Sequence, residues 1–464
     1  MKNTYFNLIE KTYNFPQEGF ELQDDNLLFK SVSLKHLIET YGTPFKLTYL
    51  PHIGSQIKKA QNWFNEAMKA HQYKGKYYYC YCTKCCHFQY VLSEALKHDV
   101  HIETSSSFDI DLILKLYKEG KLSKNHLLIH NGFKTLDYIR KILLLNELGF
   151  KNSIAVLDSM AELDKYESAK NPIKIGIRMA TNLQPQSDYY TSRLGIRPSE
   201  ILDFYKNKIA ANPKVQLKMM HFFVDSGIKD NLYYWGEFQK ALKKFVELKK
   251  VCPSLQALNL GGGFPIRNNL RFEYDYQYIV NEIVQNIKEV CTNEGVEEPD
   301  LFTEFGRYTV GESSAVIFEV LEQKKQNDTE NWYIINNSLI NNIPDAWSIL
   351  EKFILLPINH WDKEYQRVNI GGISCDHSDY YNSEELNQQV FLPKIGKNDK
   401  EPLYVGFFHT GAYQDSISGY GGIKHCLIPS PKHIVIDRDE AGNFVSQVFR
   451  EQQEAEDMLR ILGY

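Results

Sequence analysis

The sequence predicts an α/β protein in which a (β/α)8 TIM barrel is followed by a C-terminal β domain. Three observations carry this. Short β-rich runs alternate with segments of helical period from about residue 76 to 305, and the runs number eight. Eight βα units in roughly 230 residues is the size of such a barrel. After residue 306 the texture changes to short strands joined by polar or glycine-rich connections.

The eight runs are KYYYCYCTK (76–84), DVHIE (99–103), HLLIH (126–130), SIAVLD (153–158), PIKIGIRMA (172–180), QLKMMHFF (216–223), LQALNL (255–260) and DLFTE (300–304). Each but the last precedes a predicted helix, among them FDIDLILKLYKEG, LDYIRKILLLNELGF, PSEILDFYKNKIA and WGEFQKALKKFVELKK. A doubly wound open sheet is the competing reading, but it usually has fewer strands. Beyond residue 306, AVIFEVLEQ, NWYIIN, RVNIGG, LYVGFFH, HIVIDRD and FVSQVF read as strands, and KIGKNDKEP (394–402) as a polar loop. The domain expectation is an N-terminal segment over 1–45 packing on the β domain, a barrel over 46–306 and a β domain over 307–464 that completes the active site.

With 464 residues, a formal charge of −5, 43% hydrophobic and 24% charged residues, the composition is that of an ordinary globular chain. Its charge runs are short and of mixed sign, which gives no footprint for nucleic acid. No stretch offers the unbroken apolar run of a membrane span. The opening MKNTYFNLIEKTYNF carries charges throughout and does not read as a signal peptide. Four of the eight cysteines lie in YYYCYCTKCCHF (77–88), and the others (Cys252, Cys291, Cys375, Cys426) lack framework spacing. A cytoplasmic protein with reduced thiols is expected.

Barrel enzymes build their sites at the C-terminal ends of the strands. Here those ends carry Lys84, Glu103, His130, Asp158, Arg178, His221 and Glu304, with glycines 261–263 after the seventh strand. Polar residues are common at strand ends, and any one of these is ordinary alone. Together they supply a lysine, a carboxylate and a glycine turn whose backbone N–H groups can approach a phosphate. That set suggests pyridoxal phosphate, with the lysine binding the cofactor and an acid keeping its pyridine nitrogen protonated. In YYYCYCTKCCHF, Cys80 and Cys82 share a strand face, and Cys85 and Cys86 lie at its exit. Zinc sites present ligand pairs, and no second pair is evident. The cysteines read as buried filling around Lys84.

With these residues placed, the chain resembles the fold-type III, alanine racemase-like and ornithine decarboxylase-like, pyridoxal-phosphate-dependent decarboxylases, and within them the biosynthetic arginine decarboxylases. The motifs are YCTKCCHF, HIETSSSFDI, IHNGFK, SRLGI, LNLGGGFP, TEFGRY, GGISCDHSD, VGFFHTGAYQ and the Pro-Asp-Ala-Trp run of NNSLINNIPDAWSIL. The resemblance implies that Lys84 holds the cofactor aldehyde and that Glu304 pairs with the pyridinium nitrogen. It assigns Glu103, Phe223, Ser226, Gly262, Gly263, Gly306, Arg307 and Tyr413 to cofactor binding. Cys375 would deliver a proton to the substrate carbon after carbon dioxide leaves, and Asp345 and Asp376 would face the substrate's distal cation.

The implied reaction is decarboxylation of a basic L-amino acid, L-arginine to agmatine in polyamine and spermidine synthesis. The alternatives are ornithine, lysine or carboxynorspermidine as substrate, or a catalytically silent regulator of the same fold. A homodimer or larger assembly with sites at the interface is implied too, and magnesium enters only through the family. Three departures stand out. Phe223 and Asp225 replace the His and Gly of a His-x-Gly-Ser segment, the Cys-Asp-His-Ser-Asp loop is one residue longer, and an inserted helical region is missing.

Overall fold

A computed structural model describes residue 4 and residues 15–181, 192–385, 388–396 and 399–464. The N-terminal stretch read as lacking a signal peptide lies almost wholly outside them, as do two residues of the 394–402 loop. The chain divides into two compact units, one of residues 53–265 and 274–309, the other of residues 1–52, 266–273 and 310–464.

The first unit is a closed barrel of eight parallel strands: β1 (Tyr77–Cys82), β2 (His101–Thr104), β3 (Leu128–His130), β4 (Ser153–Leu157), β5 (Ile173–Met179), β6 (Val215–Phe222), β7 (Ala257–Asn259) and β8 (Asp300–Phe305). Each strand pairs with the next, and β8 closes on β1 with Glu304 opposite Cys80. All eight predicted runs are strands. The interior is a packed core, because Cys80, Ile129, Ile154, Val156, Met219, Ala257 and Phe302 from successive strands fill it.

The helices between strands start where the sequence supplies caps. Ser106, Thr135, Asn231 and Asp275 each accept a backbone N–H of the first turn. The connection after β4 differs from expectation. Met160–Tyr166 is a 3₁₀ segment where a helix was predicted. It is fastened by the buried Lys134–Glu162 ion pair at 3.0 Å, with Lys134 Nζ also donating to the Val156 carbonyl at 2.6 Å.

The second unit is built on a ten-stranded sheet. Its central strand Ser314–Lys325 runs antiparallel to Tyr404–Phe408 on one side and to Phe45–Tyr49 on the other. Residues 46–49, expected in the barrel, therefore belong to this sheet. FKLTY is buried at every position because Lys432–Arg438 pairs with its other edge. Along the central strand, Ala315 and Ile317 enter one core while Val316 and Phe318 enter another. That period of two is what a strand covered on both faces requires. The first core is shared with Phe20, Leu27, Phe29, Leu34 and Leu37 of the N-terminal segment. Sequence reading missed the strands Ile354–Pro357, Tyr380–Tyr381 and Val390–Pro393, which are too short for a clear period. Among the described residues no helix is long and apolar enough to cross a membrane.

Candidate active site

In the barrel unit, β1 delivers a lysine to the C-terminal rim. The strand stops at Cys82, and Thr83–Cys85 turns through a single 3₁₀ turn. Tyr81 Oη donates to the Cys86 carbonyl (2.8 Å) and Thr83 Oγ1 to the Glu103 carbonyl (3.1 Å). Lys84 is the exposed residue in an otherwise buried run from Tyr79 to Cys86. The cysteines around it pack. Cys80 lies in the barrel core, and Cys82 Sγ donates to the Glu304 carbonyl at 3.1 Å. A Cβ at Gly306 would overlap Cys85 Sγ, so the glycine after β8 makes room for the thiol. None of the eight cysteines is in a disulfide.

Two buried carboxylates face this rim. Asn131 Nδ2 donates to Glu103 Oε1 at 3.0 Å and to Glu304 Oε1 at 2.9 Å, so one amide bridges both. Asn259 Nδ2 donates to Glu304 Oε1 at 2.6 Å, and His221 Nε2 lies 3.4 Å from Glu304 Oε2. Burial opposes ionisation of Glu304, but the His221 charge, the Asn131 hydrogen bond and the Lys84 charge outweigh it and hold the carboxyl at about 2. Glu103 goes the other way. Burial raises it, Lys84 partly counters, and the neighbouring Glu304 charge raises it further. One site thus holds two carboxyls with opposite tendencies, the arrangement that separates an anion from an acid.

The glycine turn lies beside them. A Cβ at Gly262 would run into the Glu304 carbonyl oxygen, and Gly263 at φ +108° packs against Gly227. Close backbone approach is therefore obligatory here. Ser226 follows Asp225, whose Oδ1 accepts the Ser226 N–H at 2.9 Å. Phe223 packs beside Gly261, and the Arg178 guanidinium lies 5.8 Å from its ring centroid. Gly306 is followed by the short helical turn Arg307–Val310.

These residues fit a phosphorylated, aldehyde-bearing pyridine. Among the described residues, buried Glu103 Oε2, Asn131 Oδ1, His221 Nδ1 and Ser226 Oγ have no hydrogen-bond partner. A lysine, a charged carboxylate and a glycine cradle surround those atoms. Sequence reading missed Asn131 and Asn259, whose signal was their place in IHNGFK and LNLGGGFP.

The second unit holds the remaining expected residues in two groups. Asp345, buried on Pro344–Ser348, accepts from Gln414 Nε2 at 2.7 Å while its N–H donates to Gln414 Oε1 at 3.2 Å. Gln414 follows Tyr413, which has φ +68°. In the other group, Cys375 Sγ lies 3.5 Å from Cys426 Sγ, and Asp376 Oδ2 lies 3.6 Å from His425 Nε2. The lengthened loop is anchored by Asp379, whose Oδ1 accepts from Leu339 N–H (2.7 Å) and Ile340 N–H (3.1 Å) and whose Oδ2 accepts from Ser374 N–H (3.2 Å). The added His377 points to solvent.

Comparison with known proteins places this architecture. The family described as "Pyridoxal-dependent decarboxylase, pyridoxal binding domain" matches residues 54–311. A biosynthetic arginine decarboxylase of Prochlorococcus marinus subsp. pastoris is 22% identical over 584 aligned positions, covering 98% of this chain and 89% of that protein. The alignment is longer than the chain's 464 residues, so that relative carries insertions this chain lacks. The biosynthetic arginine decarboxylase of Campylobacter jejuni superposes with a TM-score of 0.81 at 21% identity, covering 97% of this chain and 89% of that one. A diaminopimelate decarboxylase of M. jannaschii gives 0.77 at 18% identity, with 96% and 97% covered. With the family matched over more than half its length, this chain belongs to the pyridoxal-dependent decarboxylases.

Proposed function

We propose that the protein decarboxylates a basic L-amino acid, L-arginine to agmatine and carbon dioxide, as a cytoplasmic homodimer serving polyamine synthesis. The observation that carries the chemistry is Glu304, buried yet held ionised by His221, Asn131, Asn259 and Lys84. An anion there can hold a proton on the pyridine nitrogen. Bound pyridoxal phosphate supplies an electron sink for the pair left on Cα when carbon dioxide departs.

The chain's own residues do the rest. Lys84 would hold the cofactor through its aldehyde. Glu103, its carboxyl raised by burial, contacts the cofactor at the same rim. Ser226, Gly262, Gly263, Gly306, Arg307 and Tyr413 hold the phosphate, Arg307 by its bidentate fork. Phe223 covers the ring as an apolar face, without the hydrogen bond a histidine would add. Cys375 returns a proton to Cα. Asp345 and Asp376 meet the distal cation, and support for arginine comes from these two carboxylates with the arginine decarboxylases among the relatives.

Purified protein supplied with the cofactor should be yellow, and borohydride should fix the cofactor to a peptide containing Lys84. Incubation with arginine, ornithine, lysine or carboxynorspermidine, followed by chromatography of the amines, should yield agmatine from arginine with the highest kcat/KM. A different preferred amine replaces the substrate assignment alone. Absence of both colour and product would indicate a silent regulator.

A further inference from the structure

The decarboxylase chemistry leaves Cys426 unused, although its sulfur lies 3.5 Å from that of Cys375. Both thiols are exposed, whereas Cys80, Cys82, Cys85, Cys86, Cys252 and Cys291 are buried.

The proximity is built by the backbone. Cys426 sits between His425 and Leu427 at φ +55°, a left-handed conformation uncommon outside glycine. Asn341 fixes that turn from both sides, donating Nδ2 to the His425 carbonyl (3.1 Å) and accepting the His425 N–H on Oδ1 (3.2 Å). The opposite loop is tied through Ile373 N–H to the Asn337 carbonyl (3.2 Å), while Asn337 Nδ2 donates to the Pro429 carbonyl (3.2 Å). The Asp376–His425 pair at 3.6 Å spans the two segments directly beside the sulfurs. Joining the sulfurs requires an approach of only about 1.5 Å to reach disulfide bond length.

We propose that Cys375 and Cys426 form an oxidisable dithiol site, in which hydrogen peroxide links the two sulfurs within one chain. One thiolate attacks the peroxide oxygen, breaking the O–O bond to give a sulfenic acid and, after protonation, water. The second thiol then displaces the sulfenic oxygen as a second water and forms the S–S bond. Two thiols are oxidised, one peroxide is reduced, and no other reactant is needed. A consequence, resting on the proposed role of Cys375, is that linkage removes the proton donor.

The test uses holoenzyme, hydrogen peroxide as the probe, alkylation of remaining thiols and peptide mapping. The expected result is a loss of about 2 Da per chain, with the Cys375 and Cys426 peptides joined and released by dithiothreitol. Turnover should fall about tenfold or more and return with reductant. Cys426→Ala, with Cys426→Ser as a second variant, should keep basal turnover, form no link, and gain oxygen on Cys375 instead. Peroxide that leaves both native thiols alkylatable, or adds oxygen to native Cys375 without linkage, overturns the proposal. Linkage with turnover intact upholds the dithiol site and removes Cys375 from proton delivery, so the two readings fail separately.

Discussion

His221 Nε2 stands 3.4 Å from Glu304 Oε2, with both side chains buried at the rim of the barrel. Glu304 also takes amide hydrogen bonds from Asn131 and Asn259. A buried carboxylate with an unsatisfied charge would be strongly destabilising. Here those amides, the His221 charge and the Lys84 charge reverse the effect of burial.

That reversal sets a pH signature. Glu304 titrates at about 2 in the folded chain, below the unfolded value of roughly 4.3. Its stabilisation is therefore present above the unfolded value and lost as pH falls toward the folded one. By linkage it amounts to about 3 kcal/mol at neutral pH. Glu304→Gln cannot titrate. The stability gap between parent and variant, measured by denaturant unfolding in a Glu103→Gln background, should narrow as pH falls below about 4. A gap independent of pH would mean that Glu304 is not charged in this site.

Gly306 and Cys85 make a packing pair that can be tested without cofactor. Gly306→Ala should destabilise the barrel by about 1–3 kcal/mol, because its new methyl group meets Cys85 Sγ. Cys85→Ala should recover part of that loss in the double variant. A cycle with no coupling energy would show that the thiol does not occupy this space.

Asp376 tests the substrate assignment. Asp376→Ala should lower kcat/KM for arginine by roughly tenfold or more while leaving the cofactor absorbance in place. Unchanged kcat/KM would remove Asp376 from the substrate site. The variant should discriminate less between arginine and neutral analogues, because the lost group recognises a cation.

The homodimer expectation includes a composite site, with the Cys-Asp loop of one protomer serving the lysine-bearing barrel of its partner. Inactive Lys84→Ala and inactive Cys375→Ala are then complementary. Mixed under conditions that allow subunit exchange, they should recover about a quarter of parental activity for random two-fold pairing. Demonstrated exchange with no recovery would place the loop's action within its own chain.

The sequence by itself determined the barrel, because eight alternations of period two and period 3.6 leave few other architectures, and strand ends then carry Lys84, Glu103 and Glu304 to one rim. It also located the change to a β-rich texture near residue 306. It could not assign Phe45–Tyr49, since the period of two in FKLTY marks a strand but carries nothing about which sheet it joins. Nor could it see the hydrogen-bond economy of the site. Asn131 and Asn259 are separated by more than a hundred residues, and only barrel closure lets both amides reach one carboxylate oxygen. The meeting of Cys375 with Cys426 is likewise tertiary. Two loops far apart in the chain converge because Asn341 and Asn337 tie their backbones, and local sequence carries no signal for such long-range side-chain bonds.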